Sequence, residues 1–195
     1  VNAGHLPGSA SIVVSIQEGR EERTITFSGD IGSGLHPFLP KPDLETLSHT
    51  GTEVLVIEST YGGITRNQQD LQMLTLDELI PRLYGDFWTC LDTAIKEDHL
   101  VIIPAFALDR TQRVLAAIHE GVQRGYLQSS PSVLVGGKSS CYFTKLYQSF
   151  QTNPDYTSYF TEYFYEEKPL SFVREFSRGE NCSGGENTDN YREYN

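Results

Sequence analysis

Two short apolar runs constrain this chain more than any other feature. EVLVIEST (Glu53–Thr60) and HLVIIPAF (His99–Phe106) are nearly continuous in Val, Ile and Leu, and each is shorter than an ordinary helix. Runs of this kind read as strands buried on both faces of an α/β sheet. After Tyr61-Gly62-Gly63 the period changes: Leu71, Leu74, Leu79 and Leu83, then Phe87, Leu91, Ala94 and Ile95, recur at helical spacing, with Pro81 and Gly85 marking a break. Val114, Leu115, Ile118 and Val122 recur in the same way, which predicts a helix capped by Asp109 and stopped near Gly125. Ser132–Val135 reads as a further short strand, and Thr144–Phe150 as part of a further helix. Strand–helix–strand–helix–strand predicts a parallel sheet with right-handed crossovers. Upstream, SASIVVSIQ (Ser9–Gln17) and RTITFSGD (Arg23–Asp30) flank the polar EGREE and predict a hairpin with a solvated tip. The Gly- and Pro-rich GSGLHPFLPKPD (Gly32–Asp43) is too irregular for helix or central strand.

Composition excludes several function classes. The longest apolar run, Leu100–Leu108, has nine residues and contains Pro104, whereas a membrane helix needs ~20. No basic region followed by an apolar stretch is present at the start, so no secretory signal is expected. Cys90, Cys141 and Cys182 are widely spaced, which fits neither a disulfide framework nor a zinc knuckle and suggests a reducing compartment. The expected location is cytoplasmic, or nuclear in a eukaryote. A net charge of −11 argues against non-specific coating of nucleic acid, yet not against an enzyme acting on it. From Ser177 onward the composition turns to Ser, Gly, Asn and Glu, so residues 177–195 are expected to be a disordered tail.

Three segments place a metal-competent or acidic side chain in a glycine-rich bend beside a strand: NAGHLPGSAS (Asn2–Ser11), FSGDIGSG (Phe27–Gly34) and VIESTYGG (Val56–Gly63). Glycines let backbones approach closely while the strand fixes where the side chain starts, and a rigid metal site needs both. A neutral imidazole and a carboxylate are suitable zinc ligands. Singly, each has a plain structural reading: His5 as a turn residue, Asp30 as a turn former, Glu58 as a solvated strand end. His36 and His49, in polar Pro-rich surroundings, and His99 and His119, beside apolar stretches, read as structural or surface residues. The signal lies in the ordered set.

That set, NAGHLPGSAS, then TITFSGDIG, then EVLVIESTYGG, then LVIIPAFALDRTQRVL, resembles metallo-β-lactamase fold proteins with a β-CASP domain, nucleases of RNA processing. The resemblance runs over residues 1 to 150 and covers four motifs in order. It implies an α/β fold: residues 1–62 as the C-terminal part of the first segment of a metallo-β-lactamase αββα sandwich, and 63–176 as the N-terminal part of a β-CASP parallel α/β domain. By the same resemblance His5 is a zinc ligand, Asp30 a carboxylate bridging two zinc ions, and Glu58 a catalytic-site acid that supports them from behind. ESTYG is similar to the RNA-acting branch. The implied reaction is phosphodiester hydrolysis, in which two zinc ions activate water and stabilise charge on the phosphate. Arg110, at the start of the helix after Asp109, reads either as a contact to a substrate phosphate or as one half of a surface or interstrand ion pair.

The departures from the family pattern are equally specific. The chain has no His-x-His-x-Asp-His cluster and no histidine after His119, Asp109 stands where the family has Gly, and Lys96-Glu97-Asp98 stand where it has a Gly pair. The stretch from Gly63 to Leu100 is also longer than usual. A four-coordinate zinc needs three protein ligands plus water, and His5 and Asp30 supply two. The expectation is therefore a fragment of a zinc-dependent ribonuclease, inactive and marginally folded or aggregation-prone alone, whose parent takes two Zn²⁺ and RNA and works as a homo-oligomer or within an RNA-processing complex. An alternative is a non-catalytic interaction module of such a complex. A nucleotide-binding domain, suggested by VLVGG (Val133–Gly137), ranks last because a lone Gly pair is no fingerprint.

Overall fold

A computed structural model describes residues 1–64, 71, 73–128, 131 and 133–170. The described chain is mixed α/β, with a three-stranded sheet followed by helices. Strands β1 (Ile12–Glu18) and β2 (Glu21–Phe27) form the expected hairpin, and β3 (Val54–Val56) pairs with β2 in parallel. A short helix α1 (Leu44–Ser48) lies between β2 and β3, and α2 (Leu76–Lys96), α3 (Arg110–Gln123), α4 (Lys138–Phe150), a 3₁₀ turn (Pro154–Tyr159) and α5 (Glu162–Glu166) follow. The described chain divides into two compact units, Val1–Leu79 with Asp155–Phe164, and Ile80–Pro154 with Tyr165–Leu170.

In the first unit the irregular Gly32–Asp43 segment is core, because its backbone groups find partners without forming regular structure. Leu35, Phe38 and Leu39 are buried, with Phe160 and Phe164 stacked on each other at 4.1 Å and Tyr163 stacked on Phe38 at 6.0 Å. The Thr161 N–H donates to the Phe38 carbonyl at 2.8 Å and the Thr161 hydroxyl donates to the Pro37 carbonyl at 2.6 Å, so two loop carbonyls are satisfied by the turn before α5. His36 belongs to this core: its Nδ1 accepts from the Phe38 N–H at 3.1 Å.

Among the described residues nothing covers one face of the sheet. Pairing of Ile12 with Phe27, Phe27 with Val56, and Val14 with Ile25 and Val54 puts these side chains on one side, and Ile12, Val14, Phe27, Val54 and Val56 are all exposed. β1 and β3 are both open edges in the described sheet. Exposed apolar faces and unpaired edges drive association. We therefore expect the 195-residue chain to sediment as species that grow with concentration; a monomer at every concentration would contradict this.

In the second unit Trp88 of α2 is the packing centre. Its Nε1 donates to the Ala117 carbonyl of α3 at 2.6 Å, its ring stacks on Tyr126 at 4.6 Å, and a Cβ added at Gly121 would lie 2.8 Å from it. Helix α4 is tied to α3 by buried polar pairs, the Gln112 Nε2 donating to Thr144 Oγ1 at 2.9 Å and Tyr147 OH donating to Asp109 Oδ1 at 3.4 Å.

Several expectations need correction. The run Glu53–Thr60, expected as a strand buried on both faces, is a strand only over Val54–Val56, and all three of those side chains are exposed. The helical break at Pro81 and Gly85 does not occur, since α2 runs through both. One missing N–H and one flexible residue cost less than the burial of Ile80, Trp88 and Leu91 returns. His99–Phe106 and Val133–Val135 are not strands. An apolar run becomes a strand only where a neighbour offers its ladder, and among the described residues none does; Leu100 and Ile102 are accordingly exposed at 88% and 79%. The parallel sheet expected beyond residue 63 is thus absent among the described residues. Asp109 occupies the cap position of α3 without capping it: its φ is +66°, and its buried carboxylate accepts from Arg110 Nη1 at 2.8 Å instead. Ser132 and the tail 177–195 lie outside the described residues.

Candidate metal and RNA site

The candidate site is built where two glycine bends meet. The Asn2–Ser11 segment closes on itself: Asn2 bridges Ala10, the Ala3 N–H donates to the Ser9 carbonyl, and Ser9 Oγ accepts from the His5 and Leu6 N–H groups at 3.0 and 3.1 Å. Gly4 and Gly8 have φ of +63° and +77°, which allows so tight a turn. The second bend docks backbone to backbone, the Gly32 N–H donating to the Ala3 carbonyl at 2.8 Å. A Cβ on Gly32 would overlap the Gly4 carbonyl. We expect Gly32→Ala to separate the bends and destabilise the unit by about 1–3 kcal/mol, the range for overpacking, read by urea unfolding; an unchanged midpoint would refute the close approach.

This docking sets His5 against Asp30, with Nε2 and Oδ2 3.8 Å apart and the carboxylate largely exposed. Glu58 comes in from the end of β3. The Ser28 N–H extends the parallel pairing to the Val56 carbonyl, Ser28 Oγ accepts from the Glu58 N–H at 3.0 Å, and Glu58 Oε1 accepts from the Ile31 N–H at 2.6 Å. Glu58 therefore grips the residue after Asp30 and holds its bend. The Ile31 N–H, then Thr60, then the nearby His5 keep the Glu58 carboxyl below its ordinary value of 4.5. A depressed folded pKa stabilises the fold above the unfolded pKa and ceases to do so as pH falls through the folded value. A carboxyl-carbon NMR titration should give Glu58 a midpoint below 4.5, with the Ile31 amide moving in step; a midpoint at or above 4.5 would contradict the grip.

The structure thus brings His5, Asp30 and Glu58 together. Arg110 lies in the second unit, paired with Asp109. Sequence reasoning passed over Ser9, Ser28 and Asn2, whose Oδ1 accepts from the Gly4 N–H at 3.0 Å. All three stand inside the quoted motifs, and small polar residues beside glycines were the available signal.

No family model matches the chain. Curated relatives do. RNase aCSPSF2 of Saccharolobus solfataricus is 32% identical over 120 residues, 61% of this chain and 21% of its own. The RNase J-like protein of Methanocaldococcus jannaschii is 30% identical over 152 residues, 76% of this chain and 31% of its own. Ribonuclease TTHA0252 of Thermus thermophilus is 32% identical over 117 residues, 60% and 23% respectively. The four ordered motifs and these ribonuclease relatives decide the family. The chain belongs to the metallo-β-lactamase fold, β-CASP ribonucleases. It spans about a fifth to a third of the length of these relatives.

Within this β-CASP chain the donors among the described residues do not complete a zinc site. Among the described residues no three His, Cys, Asp or Glu side chains converge as a metal-holding group. His5 and Asp30 offer two donors, and the Glu58 carboxylate is engaged by the Ile31 N–H. That falls short of the three protein ligands a zinc site needs. No described helix is long and apolar enough to cross a membrane.

Proposed function

We propose that the chain is part of a zinc-dependent phosphodiester hydrolase acting on RNA, and that the 195 residues alone are inactive. His5 and Asp30 are its share of the metal ligands, and Glu58 is a positioning residue that holds the Asp30 bend through Ile31. The observation that carries this reading is the apposition of His5 and Asp30 at 3.8 Å by two interlocked glycine bends. Gly4, Gly8 and Gly29 adopt positive φ in these bends, which lets the two backbones approach closely. The ribonuclease names of the relatives support RNA as substrate. The ligands needed to hold two zinc ions come, on this reading, from a His-x-His-x-Asp-His segment outside these residues.

An interaction module without chemistry is the competing reading, and the retention of His5, Asp30 and Glu58 together weighs against it. The test is RNA cleavage by the chain alone and joined to a segment carrying that cluster. No cleavage by the first and metal-dependent cleavage by the second supports the hydrolase. Inactivity of both, with the joined protein folded and metal-loaded, would overturn it.

A further inference from the structure

The second unit contains a cavity of about 630 Å³, well within the ~300–1,000 Å³ of small-ligand pockets. Its walls carry Tyr84 and Phe87 from α2, Phe106 from the loop before α3, and Arg110 and Arg113 from α3. The i, i+3 spacing turns each helical pair to one side of its helix, so aromatic rings and guanidiniums meet at one mouth. The Tyr84 hydroxyl oxygen is buried there beside the Arg113 guanidinium. Among the described residues no Asp or Glu lines the cavity, in a chain of net charge −11. Arg110 is partly matched by the buried Asp109; Arg113 supplies the remaining positive charge.

We propose that this cavity is a subsite for one unpaired nucleotide of an RNA strand, its base against Phe106 and Phe87 and its phosphate at Arg113 and Arg110. The proposal rests on the RNA-directed reading above. An apolar ligand would leave two guanidiniums without purpose, and a bare phosphate would leave the aromatic walls without one. A nucleotide uses both, since every base has a stacking face and every phosphate accepts from guanidinium N–H groups.

The test is a ¹H–¹⁵N NMR titration of the 195-residue chain, diluted to where it sediments as a monomer, with AMP, adenosine and inorganic phosphate. AMP is expected to shift the Arg113 Nε–H and the Ala105 and Phe106 amides saturably and more tightly than either of the other two. Phe106 is 82% exposed, so Phe106→Ala leaves the fold intact and should weaken AMP about tenfold. Arg113→Lys keeps the charge but not the planar fork, and should weaken AMP while leaving adenosine unchanged. Absence of a saturable AMP shift, or equal affinity for inorganic phosphate alone, would overturn the subsite. Asp30→Ala should leave AMP binding unaltered, so this proposal and the hydrolase assignment fail separately.

Discussion

Replacing Asp30 by Ala in a longer protein that carries the full histidine cluster should reduce RNA cleavage by about a thousandfold, while the fold survives. Asp30 is mostly exposed, with His5 beside it, so truncation removes little packing. A lost metal ligand, by contrast, removes transition-state charge stabilisation worth several kcal/mol, and every ~1.4 kcal/mol is a factor of ten in rate. Glu58→Gln should do less, ~10–100-fold, because it loosens the bend and not the donor itself. Its neutral amide can still accept from the Ile31 N–H, so part of the grip remains. Equal losses in the two variants would contradict the division of roles, and full activity in Asp30→Ala would remove the site assignment.

The largest expected effect on stability is at Trp88. Trp88→Ala should destabilise the second unit by about 3–5 kcal/mol, the range for removal of a buried large aromatic. The ring is 1% exposed, it donates to the Ala117 carbonyl, it stacks on Tyr126, and Gly121 approaches it too closely for any side chain. Truncation leaves the Ala117 carbonyl without this donor as well as leaving a cavity. The chain has one tryptophan, so the measurement must be urea unfolding followed by circular dichroism, not fluorescence. A loss below ~1 kcal/mol would mean that α2 and α3 repack around the gap.

Local signals were legible where a residue's neighbours in sequence are also its neighbours in space. The hairpin was read from alternation on either side of EGREE, and the strands observed, Ile12–Glu18 and Glu21–Phe27, differ from that reading by a few residues at each end. Helix α3 begins one residue after Asp109 and its end is followed by Gly125 at φ +74°, as the start-and-stop signature indicates. What failed depended on partners distant in sequence. The strand at His99–Phe106 needed a ladder that no described residue supplies, and Pro81 was outvoted by burial on either side of it. Asp109 was misread for a related reason: a side chain that looks like a cap is instead captured by Arg110 and Tyr147.

The site was legible in part. His5, Asp30 and Glu58 were identified singly as weak candidates and together as an ordered set, and the structure groups them. Their mutual geometry was not readable, because it depends on backbone contacts such as Gly32 to Ala3 and on the Ser28 and Ser9 hydroxyls. The cavity beside Arg113 left no linear motif at all. Its aromatic and basic residues are shared among two helices and a loop.

The central claim, that this chain holds two donors of a metal site completed elsewhere, is tested most directly by zinc stoichiometry after weakly bound metal is removed. The account predicts little or no tightly held zinc in the 195-residue chain, and two ions per chain once the His-x-His-x-Asp-His segment is joined to it, with Asp30→Ala lowering that number. Two tightly held ions in the 195-residue chain, or an occupancy in the joined protein that ignores Asp30, would contradict it.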